Sequence, residues 1–168
     1  ATLVLAVGAG YLIGGIRSAL VVCALTLFIA FSPWWDRALV TLYMATFGVV
    51  ISCLIGFTVG TLCFQNKKSA AFMLGVCDIF QTFPSFVYLI PVMMLFGITD
   101  TSVLIAVVVY ATIPATRYTI EGLRSVPVGL HEAATMSGVN KFQRLTKIEF
   151  PLAFPHMMLG LNQTIVFA

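Results

Sequence analysis

EAATMSGVNKFQRLTKIEFP, Glu132 to Pro151, stands apart from the rest of its chain. Of the 168 residues, 60% are hydrophobic and only 9% are charged. Yet this stretch holds Glu132, Lys141, Arg144, Lys147 and Glu149, with apolar blocks on either side. Pro127 fits the first turn of a helix over about Val128 to Ser137, because its missing N–H costs nothing there. Gly138 follows where a helix ends in a left-handed residue. Asn140 reads as the N-cap of a second helix, with Gln143 three residues on as in a capping box. Within that helix Phe142, Leu145, Thr146 and Glu149 fall at i, i+3, i+4 and i+7, a stripe that is only partly apolar. Pro151 marks the start of the next apolar block. The pattern predicts a compact helix–glycine–helix element. Two surfaces suit it: lipid headgroups, for an amphipathic hairpin with basic residues on its second helix, or a protein packed closely on Ala133 and Ala134 beside Glu132.

The flanking blocks set the fold class. A mean hydropathy of +1.05 and 60% apolar content exceed the roughly 45–50% of soluble domains. A bilayer-spanning helix needs about 20 apolar residues, and the long uninterrupted runs here are unlike the short alternating strands of a barrel. The expectation is an all-α polytopic transmembrane bundle. Its blocks run from about Ala1 to Ile16, Ser18 to Phe31, Ala38 to Phe64, Ala70 to Ile98, Val103 to Ile120, and from Leu152 onward. The chain begins at Ala1 and stops within an apolar run, so it reads as a piece of a longer protein, cut at both ends. Residues 1–35 form N-terminal membrane helices and 36–168 a core, with the charged loop at about 125–151. Cys23, Cys53, Cys63 and Cys77 stand singly in apolar segments and read as packing residues rather than metal ligands.

Basic residues favour cytoplasmic connections. Six blocks in series place Arg17, Lys67, Lys68, Arg117, Arg124, Lys141, Arg144 and Lys147 on one side, and Arg37 alone on the other. The charged element is therefore expected in the cytoplasm. SPWWDR and ITDTS then face outward, with Trp34 and Trp35 in an aromatic belt. The alternative for the tryptophans is a cage for a cationic ligand.

The spacing EAA, three residues, Gly138, nine residues, Ile148, one residue, Phe150-Pro151 resembles the EAA loop of ABC importer permeases. That family has leucine where Phe150 stands. DIFQTFPSFVYLIPVMMLFGI (78–98), IPATRYTIEGLRSVP and PLAFPHMMLGLNQT are similar to permeases for glycine betaine, proline betaine and choline, the ProW/OpuAB type. The resemblance covers about Asp36 to Ala168. It implies a MetI-like type I importer fold in the prokaryotic inner membrane. It also implies a second permease copy, an external solute-binding protein and a cytoplasmic ATPase that holds ATP and magnesium. The sequence itself contains no GxxxxGK[ST] loop, so it carries no nucleotide site of that kind and is not expected to be an enzyme. Carried over by position, Glu132, Ala133, Ala134 and Gly138 would contact the ATPase, with Ile148 and Pro151 completing the motif.

An ionisable residue inside a span is a functional candidate. Asp78 is one, and Gln81, Thr82, Pro84, Ser85, Asn162 and Gln163 are further candidates for lining a translocation path. Each is equally readable as a packing or capping residue. Gly56 and Gly60 form a small-xxx-small pair, for packing within the subunit or at a dimer seam. No aromatic cage for a quaternary ammonium is evident, and selection is expected mainly on the binding protein. Two other readings compete: a permease for a different solute, and a secondary transporter. The second would show repeated halves or paired intramembrane charges, and Asp78 is the only acid expected well inside a span. An intramembrane enzyme lacks the expected HExxH, GxSxG or paired acids.

Overall fold

In the computed structural model, which describes residues 2–168, every regular element is helical. The chain divides into two compact units, Ala1–Met44 and Ala45–Ala168.

The first unit holds helix α1, Thr2–Ala30. Its backbone breaks at Gly14 and Gly15, and Gly15 takes φ 70° and ψ −159°, a conformation open to glycine alone. The sequence expectation of a loop between two spans at Arg17 is corrected here. The helix resumes before that residue, and Gly14–Ala30 is a short apolar helix. The glycine pair, not the charge, makes the break. Past Ser32, the Arg37 guanidinium lies 5.8 Å from the Trp34 ring centroid, so that ring already has a cation from its own chain.

Helix α2, Trp35–Phe64, begins in the first unit and continues into the second. The second unit then adds α3, Lys67–Thr82; α4, Phe86–Phe96; α5, Asp100–Arg124; α6, Val128–Met136; α7, Lys141–Arg144; a π-turn, Leu145–Glu149; and α8, Phe150–Phe167. With 30 and 25 residues, α2 and α5 extend about 45 and 37 Å, enough to cross a hydrocarbon core of about 30 Å.

The expected fourth block is a broken one. Helices α3 and α4 are bent by 89°. Proline disfavours helical geometry in the residue before it, and Phe83 is extended, at φ −86° and ψ 137°. Pro84, expected to distort a helix, ends one.

Helix α5 is the centre of the second unit, packed by α3, α4 and α8. Small residues allow the close approach. On α2, Gly48, Ser52, Gly56 and Gly60 are all buried at four-residue spacing. A Cβ added at Gly56 would lie 2.5 Å from Ala115 Cβ and 2.9 Å from the Thr116 amide nitrogen, and one at Gly60 would lie 2.7 Å from Thr119 Cβ. The Ser52 hydroxyl donates to the Val108 carbonyl at 3.2 Å. The Gly56/Gly60 pair is thus a packing surface within the subunit. Ala153, Met157, Gly160 and Thr164 of α8 are also buried, and Leu123 joins Ala153 and Met157 in a core cluster against which Phe57 and Phe64 of α2 pack.

Two alanine substitutions probe this packing. Gly56→Ala forces backbone apart, and overpacking of this kind costs about 1–3 kcal/mol. Gly75→Ala, where the added methyl meets nothing within 4 Å, is expected to be neutral or mildly stabilising. Thermal unfolding of the two full-length variants in detergent should separate them; equal midpoints would contradict close α2–α5 packing.

Candidate functional site

Two sites emerge from the second unit. The first is the charged element. Pro127 occupies the N-cap position of α6, with ψ 135°, one residue earlier than expected. Helix α6 ends in a Schellman arrangement: Val139 N–H donates to the Ala134 carbonyl and Gly138 N–H to the Thr135 carbonyl, both at 3.1 Å. Gly138 has φ 72°, as the sequence predicts. The predicted capping box also forms. Gln143 N–H donates to Asn140 Oδ1 at 2.8 Å, and Asn140 N–H to Gln143 Oε1 at 3.2 Å.

Beyond the capping box the structure departs from expectation. The second short helix is not separate from the last apolar block. It runs through the π-turn directly into α8, with Phe150 N–H donating to the Leu145 carbonyl. Pro151, expected as a boundary, lies in the first turn of α8, and it has no N–H to donate to the carbonyl four residues back. Lengthening the hydrogen-bond step to i→i+5 just before it keeps the helix continuous. The charged element is thus continuous with α8, not a hinged hairpin.

Glu149 shows why this matters. Its side chain is 2% exposed. Its Oε1 accepts from Arg144 Nε at 2.9 Å and lies 3.1 Å from His131 Nδ1. Arg144 reaches it across five residues, the spacing that the wider π-turn brings together. His131 belongs to α6, so the carboxylate ties α6 to the base of α8. Beneath this contact a cavity of about 380 Å³ is lined by Phe64, Gln65, His131, Arg144 and Glu149, among others. On the outer face of α6, Glu132 and Ala133 are exposed and Met136 is 92% exposed. Ala134 is buried. The paired alanines therefore do not form one surface, and only Ala133 faces outward. Ile148 is half-buried and Pro151 exposed.

The second site is a polar groove of about 540 Å³ lined by Gln81, Arg117, Tyr118, Glu121, Gln163 and Phe167, with Pro114. Arg117, expected among the loop cations, lies seven residues inside the end of α5, about 10 Å along the helix. It forms an ion pair with Asp78 of α3. Its Nη1 also donates to Gln81 Oε1 at 3.2 Å and its Nε to Glu121 Oε1 at 3.0 Å. One cation thus faces two carboxylates and an amide, for a net charge of −1. Glu121 lies three residues from the end of α5, so a second acid joins Asp78 at this cation. The side chains of Arg117, Asp78 and Glu121 remain 31%, 60% and 38% exposed, so the cluster opens to the groove.

Beyond Phe167 the groove gives way to an apolar pocket that includes Ser85, Phe86 and Tyr110. Phe167 stacks on Tyr110 with ring centroids 4.9 Å apart. Tyr110 meets Tyr88 at 5.3 Å, and Tyr88 stacks on Phe80 at 5.7 Å. This aromatic column draws one ring from each of four helices, and nothing in the spacing of those rings along the chain foretells it. Of the expected path residues, Gln81 and Gln163 line the groove and Asp78 pairs with Arg117 at its side. Thr82 donates its hydroxyl to the Ile79 carbonyl of its own helix. Pro84 lies in the α3–α4 break and Ser85 in the apolar pocket. Asn162 is exposed on α8, away from these groups.

Residues 48–168 match the family described as "Binding-protein-dependent transport system inner membrane component". Over all 168 residues the chain is 87% identical to the trimethylamine N-oxide transport system permease protein TmoV of Pelagibacter ubique, and covers 23% of that protein. It is 36% identical over 134 residues, 80% of the chain, to the glycine betaine/proline betaine transport system permease protein ProW of Escherichia coli, covering 38% of it. It is 34% identical over 142 residues, 84% of the chain, to the glycine betaine transport system permease protein OpuAB of Bacillus subtilis, covering 50% of it. The chain thus spans between about a quarter and a half of the length of these relatives. An all-helical second unit with α2 and α5 of membrane-crossing length, and a family match that takes in all of it from Gly48 onward, leave one assignment: the chain belongs to the binding-protein-dependent transport system inner membrane components, the MetI-like permeases of ABC transporters.

Proposed function

We propose that this chain is the membrane core of a permease that imports trimethylamine N-oxide, powered by a separate ATPase. The observation that carries the solute is the 87% identity, over the whole chain, to a trimethylamine N-oxide permease. This moves the solute away from the glycine betaine expected from sequence. Glycine betaine is the second reading, favoured by relatives at 34–36% identity. Both solutes are zwitterions with a trimethylated nitrogen and an anionic oxygen. Choline has no anionic oxygen and fits this group less well.

In this reading two permease copies enclose the path, and a solute-binding protein delivers substrate from outside. The ATPases bind ATP and magnesium in the cytoplasm. Lys67, Lys68, Arg124, Lys141, Arg144 and Lys147 flank the helix ends that face them, in line with the bias of basic residues to cytoplasmic connections. The outer face of α6 docks on the ATPase. Because α6 is tied to the base of α8 through Glu149, ATP-driven displacement of α6 moves a membrane helix as a unit. That is a ligand-biased two-state element.

The reading is tested with the full-length permease, its ATPase and its binding protein in proteoliposomes. ATP-dependent uptake of labelled trimethylamine N-oxide is expected to exceed that of glycine betaine at least tenfold. Betaine uptake equal to or above it would shift the solute to the second reading. Uptake of neither, from an assembled and ATP-hydrolysing complex, would overturn both.

A further inference from the structure

We infer that the Arg117 cluster is a transient substrate site in the membrane, where a zwitterion opens the Arg117–Asp78 ion pair and takes the place of each half. The inference rests on the methylated-amine reading above and assigns the residues that would act. Arg117 is the only cation among the residues lining the groove, and a guanidinium binds an oxyanion with its planar fork. In the closed arrangement that fork is filled by Asp78, Gln81 and Glu121. An N-oxide or carboxylate oxygen can replace Asp78 on Arg117. The displaced carboxylate then neutralises the substrate's ammonium, so the one pair is exchanged for two and no charge is left without a partner. That balance matters in a membrane, where an unpaired charge is expensive.

A trimethylated nitrogen has no N–H to donate. It is held by charge and by contact with aromatic faces. The Arg117 cluster supplies the first, in its net charge of −1, and the groove beside it the second, in the Tyr118 and Phe167 rings. Its volume of about 540 Å³ exceeds what one small osmolyte needs, which suits a site that substrate passes through. A cation without an anionic oxygen offers Arg117 nothing in exchange for Asp78 and leaves it Glu121 as its one carboxylate partner. The site therefore discriminates zwitterions from simple quaternary amines.

The test uses the complete transporter in proteoliposomes and reads solute transported per ATP hydrolysed. Arg117→Lys keeps the charge and the pair with Asp78 but loses the fork. It is expected to assemble normally and to hydrolyse ATP in response to loaded binding protein, while solute per ATP falls about tenfold. Arg117→Gln is expected to lower it about 100-fold for a zwitterion. Uptake of both variants within twofold of the parent would overturn the inference. So would full recovery of transport by the swapped pair Asp78→Arg/Arg117→Asp, which preserves an ion pair but moves the cation to α3. Failure of the unsubstituted transporter to move any methylated zwitterion would instead overturn the solute reading on which the site rests.

Discussion

Arg144→Ala is expected to destabilise the full-length permease by about 3 kcal/mol, because breaking a buried pair leaves an uncompensated charge. Glu149 is the buried partner, at 2% exposed, while Arg144 and His131 are 31% and 25% exposed. The asymmetry decides which substitution hurts more. Removing Arg144 strands the carboxylate in the protein with only His131 beside it. Glu149→Gln keeps the shape and releases Arg144 and His131, which already reach solvent, at a cost of about 1 kcal/mol. The double variant Arg144→Ala/Glu149→Gln should recover most of the loss, since no carboxylate remains to be compensated. Thermal unfolding of the four proteins forms a double-mutant cycle. A coupling energy near zero would mean that Glu149 does not hold this element. Uptake is expected to follow the same order, because the contact joins α6 to α8.

Glu132→Lys is expected to lower uptake about 100-fold, equivalent to roughly 2.7 kcal/mol of lost docking. Glu132 is an exposed acid on the outer face of α6, next to Ala133. No fold-stabilising contact is lost with its carboxylate, so charge reversal should leave thermal stability within about 0.5 kcal/mol. Wrong-sign charge at an interface costs several kcal/mol. The distinguishing result is therefore loss of uptake and of ATPase copurification with an unchanged unfolding midpoint. Retained copurification at normal uptake would place the ATPase contact elsewhere.

Local chemistry makes much of this molecule legible in sequence. Asn140, Gln143 and Gly138 act through bonds to residues within five positions, and their roles can be written down from spacing alone. Apolar runs show the membrane helices, and Pro84 shows a disturbance in one of them. Tertiary partners are not legible in the same way. Arg117 meets Asp78 and Gln81 across 39 and 36 residues, and by spacing it looks like one more loop cation. Glu149 falls on the stripe of the second short helix. Its burial depends on Arg144 lying across a π-turn and on His131 from another helix. The π-turn itself is hidden because proline normally ends a helix. At Arg17 the sequence misleads in the opposite sense: the charge suggests a loop, although Gly14-Gly15 is the stronger backbone signal. The aromatic column could be anticipated only as four separate rings, since α3, α4, α5 and α8 each bring one.

Contact between the outer face of α6 and the ATPase is tested most directly by a photo-reactive side chain in place of Met136, which is 92% exposed, in the intact transporter. Met136 lies one turn from Glu132, and its exposed side chain is not part of the core. Irradiation is expected to yield a covalent adduct with the ATPase subunit, which Glu132→Lys in the same chain would diminish. Adducts with lipid alone, from a complex that still hydrolyses ATP and transports solute, would contradict that contact and make α6 a membrane-surface helix.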